Sequence, residues 1–486
     1  MFESLRALSQ RTGSLPSAVL AGLVCMAAAA YAVFIDQSGE TMGVVYPLGG
    51  DGPLWFDTAR LVEVGERPGM PPMYPRMVAW LGRGLPTVAG ALTLNAAFVA
   101  LTLLGACFGG LVSTKHRGLQ LVAMVVAPLV VATTADPAAY AWYVHPEAMI
   151  TALLIWAGAL GAFYAQQPTW KRAAALGLCC GIAIGTKEHG LPVALCAPFL
   201  VLLLSRDRPG RARSLAALGV VMLPFVIEQL VGGSLFAKAW VTVRESLGWL
   251  SAVEETDYLL PLDTMTEEQR LQMEQGSVLQ VYMYRLVTES RAWWPAYIPG
   301  LLVLGGLLVR REWRYAAGYL LPLMSLAPAV LVWTETRHYL VVAPAAALLA
   351  VGGAVRLLSP LGNRGAAILL AIGGLTTLVH APAAGARLQA VQVEIRQTID
   401  LRGEEYAALM WMMSNLDAAH DRLRVELDPT VMGKAPFMQV RSEELRTATQ
   451  ESPIYLVTRN GNPGGAWSAV HNTGTVWVYR WSESGG

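Results

Sequence analysis

Acidic and basic side chains that could perform acid–base chemistry or hold an anion occur next to apolar segments of this chain. Asp51 and Asp57 follow the first apolar segment, and His145 and Glu147 precede the fourth. The other candidates are Arg60, Arg76, Lys187, Glu188, His189, Glu335, Arg337 and His338. A carboxylate can take a proton from an attacking hydroxyl, while arginine binds phosphate with its fork and lysine as a point charge. These residue types favour a reaction between a phosphate-bearing substrate and a nucleophilic acceptor.

The composition places these charges in a membrane protein. Of the 486 residues, 54% are apolar and only 15% are charged, against about 25% charged residues in an average soluble domain. This excludes an ordinary cytosolic enzyme and a disordered chain, and the net charge of +1 argues against a nucleic-acid partner. The five cysteines lie in apolar runs without paired metal-ligand spacing, so neither a disulfide framework nor a zinc ribbon is indicated.

Apolar segments of about 20 residues, the length that crosses a bilayer, predict a helical bundle of about eleven spans. They fall at 15–35, 88–112, 118–134, 148–165, twice within 173–204, and at 215–231, 293–309, 315–333, 339–355 and 365–382. The stretch 173–204 is too long for one span and is interpreted as a hairpin that turns at Lys187–His189. Lysine and arginine are then concentrated in the cytoplasmic loops, as the positive-inside rule requires. The protein is therefore expected in the inner (cytoplasmic) membrane, with its N-terminus in the cytoplasm. The chain after residue 383 is expected outside the cell or in the periplasm.

Two domains follow from this topology: a mainly α transmembrane domain, 1–383, and a small soluble α/β domain on the outer face, 384–486. The transmembrane domain has long outer loops at 36–87 and 232–292. The first is expected to contain an amphipathic helix near Trp55–Val64 followed by a proline-rich turn, and the second a polar helix near 264–291. The tail begins helical, alternates near 423–427, and has strand patterns at Ile454–Thr458 and Thr475–Trp481 with a turn at Gly461–Gly465.

The candidate charges are expected to meet in one outward-facing cavity. Each helix of the hairpin has about 14 residues, or about 21 Å, against an apolar core of about 30 Å. The charged tip should therefore lie below the outer surface, where it needs a water-filled or protein-lined cavity. Such a cavity suits an anionic lipid-linked substrate and an acceptor that arrives from outside.

Three elements of the sequence resemble those of the GT-C-fold glycosyltransferases. The run Asp51-Gly52-Pro53-Leu54-Trp55, with Ala59, Gly65 and Tyr74-Pro75 after it, is similar to the first-loop signature of that family. Gly185-Thr186-Lys187-Glu188-His189-Gly190 looks like its small-residue hairpin, and Glu335-Thr336-Arg337-His338-Tyr339-Leu340 with Pro344 resembles its late element at a membrane rim. The order and spacing of these elements cover residues 1–345.

The resemblance implies a hexosyl or pentosyl transferase that uses a polyprenyl-phosphate sugar donor at the outer face and inverts the anomeric carbon. The acceptor would be a glycan, a lipid or a protein. Asp51 would be the catalytic base, and Lys187, Arg337, Arg60 and Arg76 would contact the donor phosphate. The residues with supporting roles would be Glu188, His189, His338, Glu335, His145 and Glu147.

Other interpretations stay open at this level. Many members of the family have two adjacent acids in the first loop, whereas Gly52 follows Asp51 here. Asp57 therefore remains an alternative base, and dependence on a divalent ion such as Mg²⁺ or Mn²⁺ is undecided. A metal site formed by Asp136, His145 and Glu147 is conceivable without supporting ligand spacing, and Lys187 could simply pair with Glu188. The rival functions are a secondary transporter or lipid flippase and a non-catalytic envelope scaffold.

Overall fold

A computed structural model describes residues 15–44, 52–63, 71–81, 87–205, 207–232, 287, 290–327, 336–415, 424–427, 454–465 and 467–481. Within these ranges the chain forms a large bundle of helices followed by one small sheet. Eight of the described helices are long and apolar enough to cross a membrane. The predicted class, a polytopic helical bundle with a small C-terminal α/β portion, is confirmed.

The helices are α1 (Leu15–Thr41), α2 (Gly52–Glu63), α3 (Met73–Leu81), α4 (Val88–Val112), α5 (Arg117–Thr134), α6 (Glu147–Gln166), α7 (Trp170–Ile184), α8 (Gly190–Leu204), α9 (Arg208–Gly232), α10 (Trp294–Val309), α11 (Trp313–Leu320), α12 (Thr336–Leu340), α13 (Ala343–Leu358) and α14 (Asn363–Asn415). Short 3₁₀ segments lie at Arg291–Trp293, Leu321–Ser325 and Ser359–Leu361. The strands are β1 (Arg424–Leu427), β2 (Ile454–Thr458), β3 (Trp467–Thr473) and β4 (Val476–Trp481).

The predicted hairpin within 173–204 is present as α7 and α8, each of 15 residues. The span predicted at 315–333 is described as far as residue 327, and this part is not a single regular helix, because α11 ends at Leu320 and a 3₁₀ segment continues to Ser325. Proline at position 322 explains the change, since it lacks the N–H that the next helical turn would use. The count of eleven spans therefore stays a prediction. The polar helix expected near 264–291 lies almost entirely outside the described residues.

The helices are layered by burial. The apolar windows of α4, α6 and α13 are mostly buried, while those of α1, α9 and α10 are mostly exposed. The exposed side chains are large and apolar, for example Met26, Val220 and Leu302. An outer layer of this kind suits contact with lipid, because a lipid-facing helix has no need of a polar face.

The sheet rests against the C-terminal part of α14. Its strand order is β1-β2-β4-β3, with β1 parallel to β2 and β4 antiparallel to both neighbours. Arg459 donates to Glu405 of α14 at 2.8 Å, and the Thr475 amide donates to Glu404 at 2.8 Å. The predicted boundary at 383/384 falls inside α14, which continues through it as one helix. The division into two domains stays a prediction.

The strands predicted at 454–458 and 475–481 are confirmed within one residue, and the expected turn has left-handed backbone at Gly461, Gly464 and Gly465. Strand β3 was not expected from the sequence. Most of its side chains are exposed, so it lacks the alternation of apolar and polar residues that marks a half-buried strand.

Gly190 is required where α8 crosses the end of α7. A β-carbon at this position would lie 2.2 Å from the carbonyl carbon and oxygen of Ala183. Because backbone atoms cannot rotate away, Gly190→Ala is expected to destabilise the fold by about 1–3 kcal/mol. Gly219→Ala is the matched control, since a β-carbon there meets nothing within 4 Å, and a helical alanine stabilises by up to about 1 kcal/mol. Thermal unfolding in detergent measures both; equal melting temperatures would contradict the close approach.

Candidate functional site

The turn between α7 and α8, Gly185–His189, is the point where several distant segments meet. The Met73 amide donates to the Gly185 carbonyl at 2.9 Å, and the Ser325 hydroxyl donates to the His189 carbonyl at 2.6 Å. We call the end of the bundle that carries this turn the site end; the sequence predicts that it faces outward. The start of α3, the tip of the α7–α8 hairpin and the end of the 3₁₀ segment at Ser325 therefore come together there.

The hairpin tip is held by its own hydrogen bonds. The Thr186 hydroxyl donates to the Ile182 carbonyl at 2.7 Å, and the Gly190 amide donates to the Lys187 carbonyl at 2.9 Å. A tip closed in this way projects the side chains at 187, 188 and 189 from a fixed backbone. At about 22 Å, each helix is shorter than the apolar core of a bilayer, as expected from the sequence.

A buried charge cluster joins α6 to this tip. Lys187 Nζ donates to Glu147 Oε1 at 2.7 Å, and His145 Nδ1 lies 3.4 Å from Glu147 Oε2. All three residues are buried, at 5%, 2% and 4% exposure for Lys187, Glu147 and His145. Glu147 begins α6, where the helix dipole favours a carboxylate. Lys187 thus pairs with the first residue of α6, and the simple pairing with its neighbour Glu188 is not what forms.

A second cluster lies at the same tip. His189 and His338 stack with ring centroids 5.0 Å apart and planes 3° apart, and their facing nitrogens, Nε2 and Nδ1, are 3.3 Å apart. Glu188 Oε1 is 3.8 Å from His189 Nδ1. One potential ligand atom from each of these three residues lies within 4.8 Å of the other two. Among the described residues, this is the one group of three or more His, Cys, Asp or Glu side chains close enough together to hold a metal ion.

The first loop packs into the core beside these clusters. Trp55 of α2 contacts Tyr74 of α3 edge-on at 6.1 Å between ring centroids, and both side chains are buried with Ala59. Arg76 of α3 forms an ion pair with Glu228 of α9. The predicted amphipathic helix is thus α2, and the aromatic, alanine and Tyr-Pro elements of the first-loop pattern meet in one place.

The remaining predicted residues are placed only in part. Asp57 and Arg60 belong to α2, and Arg337 belongs to α12. Asp51, one residue before α2, and Glu335, one residue before α12, lie outside the described residues. Their predicted roles as base, phosphate ligands and supporting residue stay predictions.

Asp136 does not join His145 and Glu147 but accepts a hydrogen bond from α14. Its carboxylate accepts from Arg387 Nε at 3.2 Å, and the Arg387 guanidinium also lies 5.5 Å from the centre of the Trp293 ring. The conceivable metal site containing Asp136 is therefore not supported. Burial raises the pKa of Asp136, and the Arg387 charge opposes that rise.

Removing Arg387 is expected to make stability depend on pH. In Arg387→Gln the buried Asp136 carboxylate loses its cation, so its pKa rises further above the unfolded value. Stability is then present at acidic pH and is lost as pH rises through the folded pKa. We expect a deficit of about 1–3 kcal/mol near neutral pH that shrinks as pH falls below the folded pKa toward the unfolded value of about 3.9. Melting temperatures across pH measure this, with Arg396→Gln at an exposed position of the same helix as control; a deficit independent of pH would contradict it.

Several residues that shape the site were missed from the sequence. Asn95, inside the apolar helix α4, donates to the Tyr143 carbonyl at 2.6 Å and fixes the loop that ends at His145. Ser325 fixes His189, and Glu228 pairs with Arg76. A lone amide within an apolar span was the available signal for Asn95, because such groups are expensive in a membrane. The sequence around Ser325 and Glu228 does not indicate which residues they contact.

Comparisons with known proteins bear on the fold. No protein-family model matches the chain, and no curated protein matches it. Among solved structures, ArnT from Cupriavidus metallidurans bound to undecaprenyl phosphate is similar over 94% of this chain and 98% of its own, with a TM-score of 0.54 and 13% identity. The oligosaccharyltransferase of Archaeoglobus fulgidus in the apo form is similar over 82% of this chain, with a TM-score of 0.51 and 11% identity. This chain covers 58% of that oligosaccharyltransferase. The chain is therefore a polytopic membrane protein with the GT-C fold.

Proposed function

We propose that the chain is a membrane glycosyltransferase that moves a hexosyl or pentosyl group from a polyprenyl-phosphate carrier to an acceptor at the outer face of the cytoplasmic membrane. The observation that carries this proposal is the meeting of Glu147, Lys187 and His145 at the site end of a GT-C fold. Buried charges at a membrane rim are expensive and therefore indicate function. The similarity to ArnT, described as bound to undecaprenyl phosphate, supports a polyprenyl phosphate as the carrier of the donor sugar.

In the proposed reaction, an acceptor oxygen or nitrogen attacks the anomeric carbon while the bond from that carbon to the phosphate oxygen breaks. Polyprenyl phosphate leaves with the bonding electrons, and Asp51 takes the acceptor proton. A single displacement of this kind inverts the anomeric carbon. Asp57 is the alternative base, since it belongs to the same helix that Asp51 precedes.

Lys187 is proposed to hold the donor phosphate. An ammonium has three donors, and one of them donates to Glu147. Glu147 therefore fixes the position of the ammonium, and its remaining donors can serve an anion. Arg337, Arg60 and Arg76 are proposed as further phosphate contacts, because a guanidinium fork suits phosphate oxygens.

An apolar cavity of about 550 Å³ supports a polyprenyl carrier. It lies between α8 and the α11–3₁₀ segment, and Cys196, Phe199, Leu203, Leu320 and Met324 are among its lining residues. Both elements that line the cavity are connected to the tip of the α7–α8 hairpin. Helix α8 begins directly after His189, and the 3₁₀ segment ends at Ser325, whose hydroxyl donates to the His189 carbonyl. Phe199 is 69% exposed, so the cavity opens sideways toward lipid, as a long prenyl chain requires.

Transfer in vitro tests the proposal. The purified protein in detergent or proteoliposomes is given labelled polyprenyl-phosphate hexoses and pentoses, with nucleotide sugars and polyprenyl-diphosphate sugars as comparison donors. We expect sugar transfer and release of polyprenyl phosphate from at least one monophosphate donor, with product of inverted configuration by NMR. Counterflow of a labelled solute without any transfer would support a transporter instead. Retention of cellular function after loss of every charge at the site end would support a scaffold.

A further inference from the structure

We propose that Glu188, His189 and His338 bind a divalent transition-metal ion of the zinc class, which ties the tip of the α7–α8 hairpin to α12. The three residues come from two segments far apart in the chain: Glu188 and His189 are adjacent in the tip, and His338 lies in the short helix before α13. The inference concerns metal binding alone and does not rest on the proposed function.

The spacing of the two imidazoles fits a shared ion. A tetrahedral metal with bonds of about 2.0–2.1 Å to nitrogen places two such nitrogens about 3.3 Å apart. His338 Nδ1 and His189 Nε2 are 3.3 Å apart, and the potential ligand atoms of all three residues lie within 4.8 Å of one another. The rings stack nearly parallel, and a lone pair lies in the ring plane. Binding therefore requires one ring to tilt out of the stack.

The ligand types select the metal. Two imidazole nitrogens and one carboxylate form a common zinc ligand set, whereas Mg²⁺ and Mn²⁺ prefer oxygen ligands. This site therefore does not suit Mg²⁺ or Mn²⁺, the two ions that the sequence leaves undecided. Three protein ligands leave a fourth position for water or an anionic oxygen.

The surroundings hold the ligands in place and leave an entry path. The Ser325 hydroxyl anchors the His189 carbonyl at 2.6 Å, and the Tyr297 hydroxyl anchors the Tyr339 carbonyl, next to His338, at 2.5 Å. The histidine side chains are buried, with 0% exposure at His189 and 2% at His338. The Glu188 side chain is 21% exposed, so an ion can reach the cluster from that side and Glu188 can close on it.

Direct metal analysis tests this site. The full chain, purified without any histidine tag, is stripped with a chelator, incubated with Zn²⁺ or Co²⁺, desalted and assayed for metal. We expect about one ion per chain and, with Co²⁺, the strong visible absorption of a tetrahedral complex. An excess of Mg²⁺ should not displace the ion. Absence of stoichiometric Zn²⁺ and Co²⁺ from the wild-type protein would overturn the inference.

Variants separate the proposed ligands from other histidines. His189→Ala and His338→Ala should lose the ion, and Glu188→Gln should bind it at least about tenfold more weakly. Glu188→Gln keeps size and hydrogen bonding at a partly exposed position, so it tests the site even if a histidine variant fails to fold. His380→Ala, in α14, is the matched control and should bind as the wild type does. Wild-type affinity in Glu188→Gln together with full metal content in both histidine variants would assign the ion elsewhere and contradict the inference.

Discussion

Asp51→Asn is expected to lower the rate of sugar transfer by about 10²–10⁴-fold while the protein remains folded. Asparagine has the size of aspartate but cannot accept a proton from the acceptor, so it removes the proposed base without emptying the site. Asp51 directly precedes α2, whose residues Gly52 and Trp55 are buried, and Trp55 contacts Tyr74. The measurement is single-turnover transfer from the polyprenyl-phosphate donor that the wild-type protein uses.

Two further variants assign the base. If Asp51 is the base, Asp57→Asn should change the rate of sugar transfer only slightly. If Asp57 is the base, Asp57→Asn should show the large loss of rate and Asp51→Asn the small one. Asp36→Asn is the control for the substitution itself, because Asp36 lies in α1 and its oxygen accepts from the Thr93 hydroxyl at 2.9 Å, which an amide oxygen can also do. Full activity of both Asp51→Asn and Asp57→Asn would remove the first loop from the chemistry.

The sequence was most informative where a local pattern determines the structure. The length of the apolar segments identified the helices. The charged triplet at 187–189 identified the turn of the hairpin, because charged side chains in the middle of a membrane span are costly. The alternation of the spans also predicts that the candidates lie at one end of the bundle, and the described contacts bring His145, Glu147 and Lys187 together there.

Pairing across the chain could not be predicted. Glu147 is separated from Lys187 by forty positions and Asp136 from Arg387 by 251, and no periodicity or motif encodes which of several loops will touch. The same holds for the stacking of His189 on His338. Burial and distance select these partners, and both exist only after the helices have packed.

The Lys187–Glu147 pair carries the second large prediction. Lys187→Met is expected to destabilise the protein by about 3–5 kcal/mol, because it leaves the buried Glu147 carboxylate without its cation. Glu147→Met should have a similar effect by leaving the ammonium unpaired. Thermal unfolding in detergent measures both. Arg356→Gln/Glu312→Gln is the control pair, joined at 3.0 Å but about one-third exposed, and it should change stability by no more than about 1 kcal/mol.

The double variant Lys187→Met/Glu147→Met separates stability from function. With both charges gone no buried ion is unpaired, and apolar side chains of similar volume are often as stable as the ion pair they replace. Melting should therefore return close to that of the wild type. Sugar transfer should not return, because a charged hydrogen bond to the donor phosphate, about 1.5–3 kcal/mol, is still missing. That corresponds to about a 10- to 150-fold loss in kcat/KM. Recovery of both properties would make the pair purely structural and leave the phosphate to the arginines.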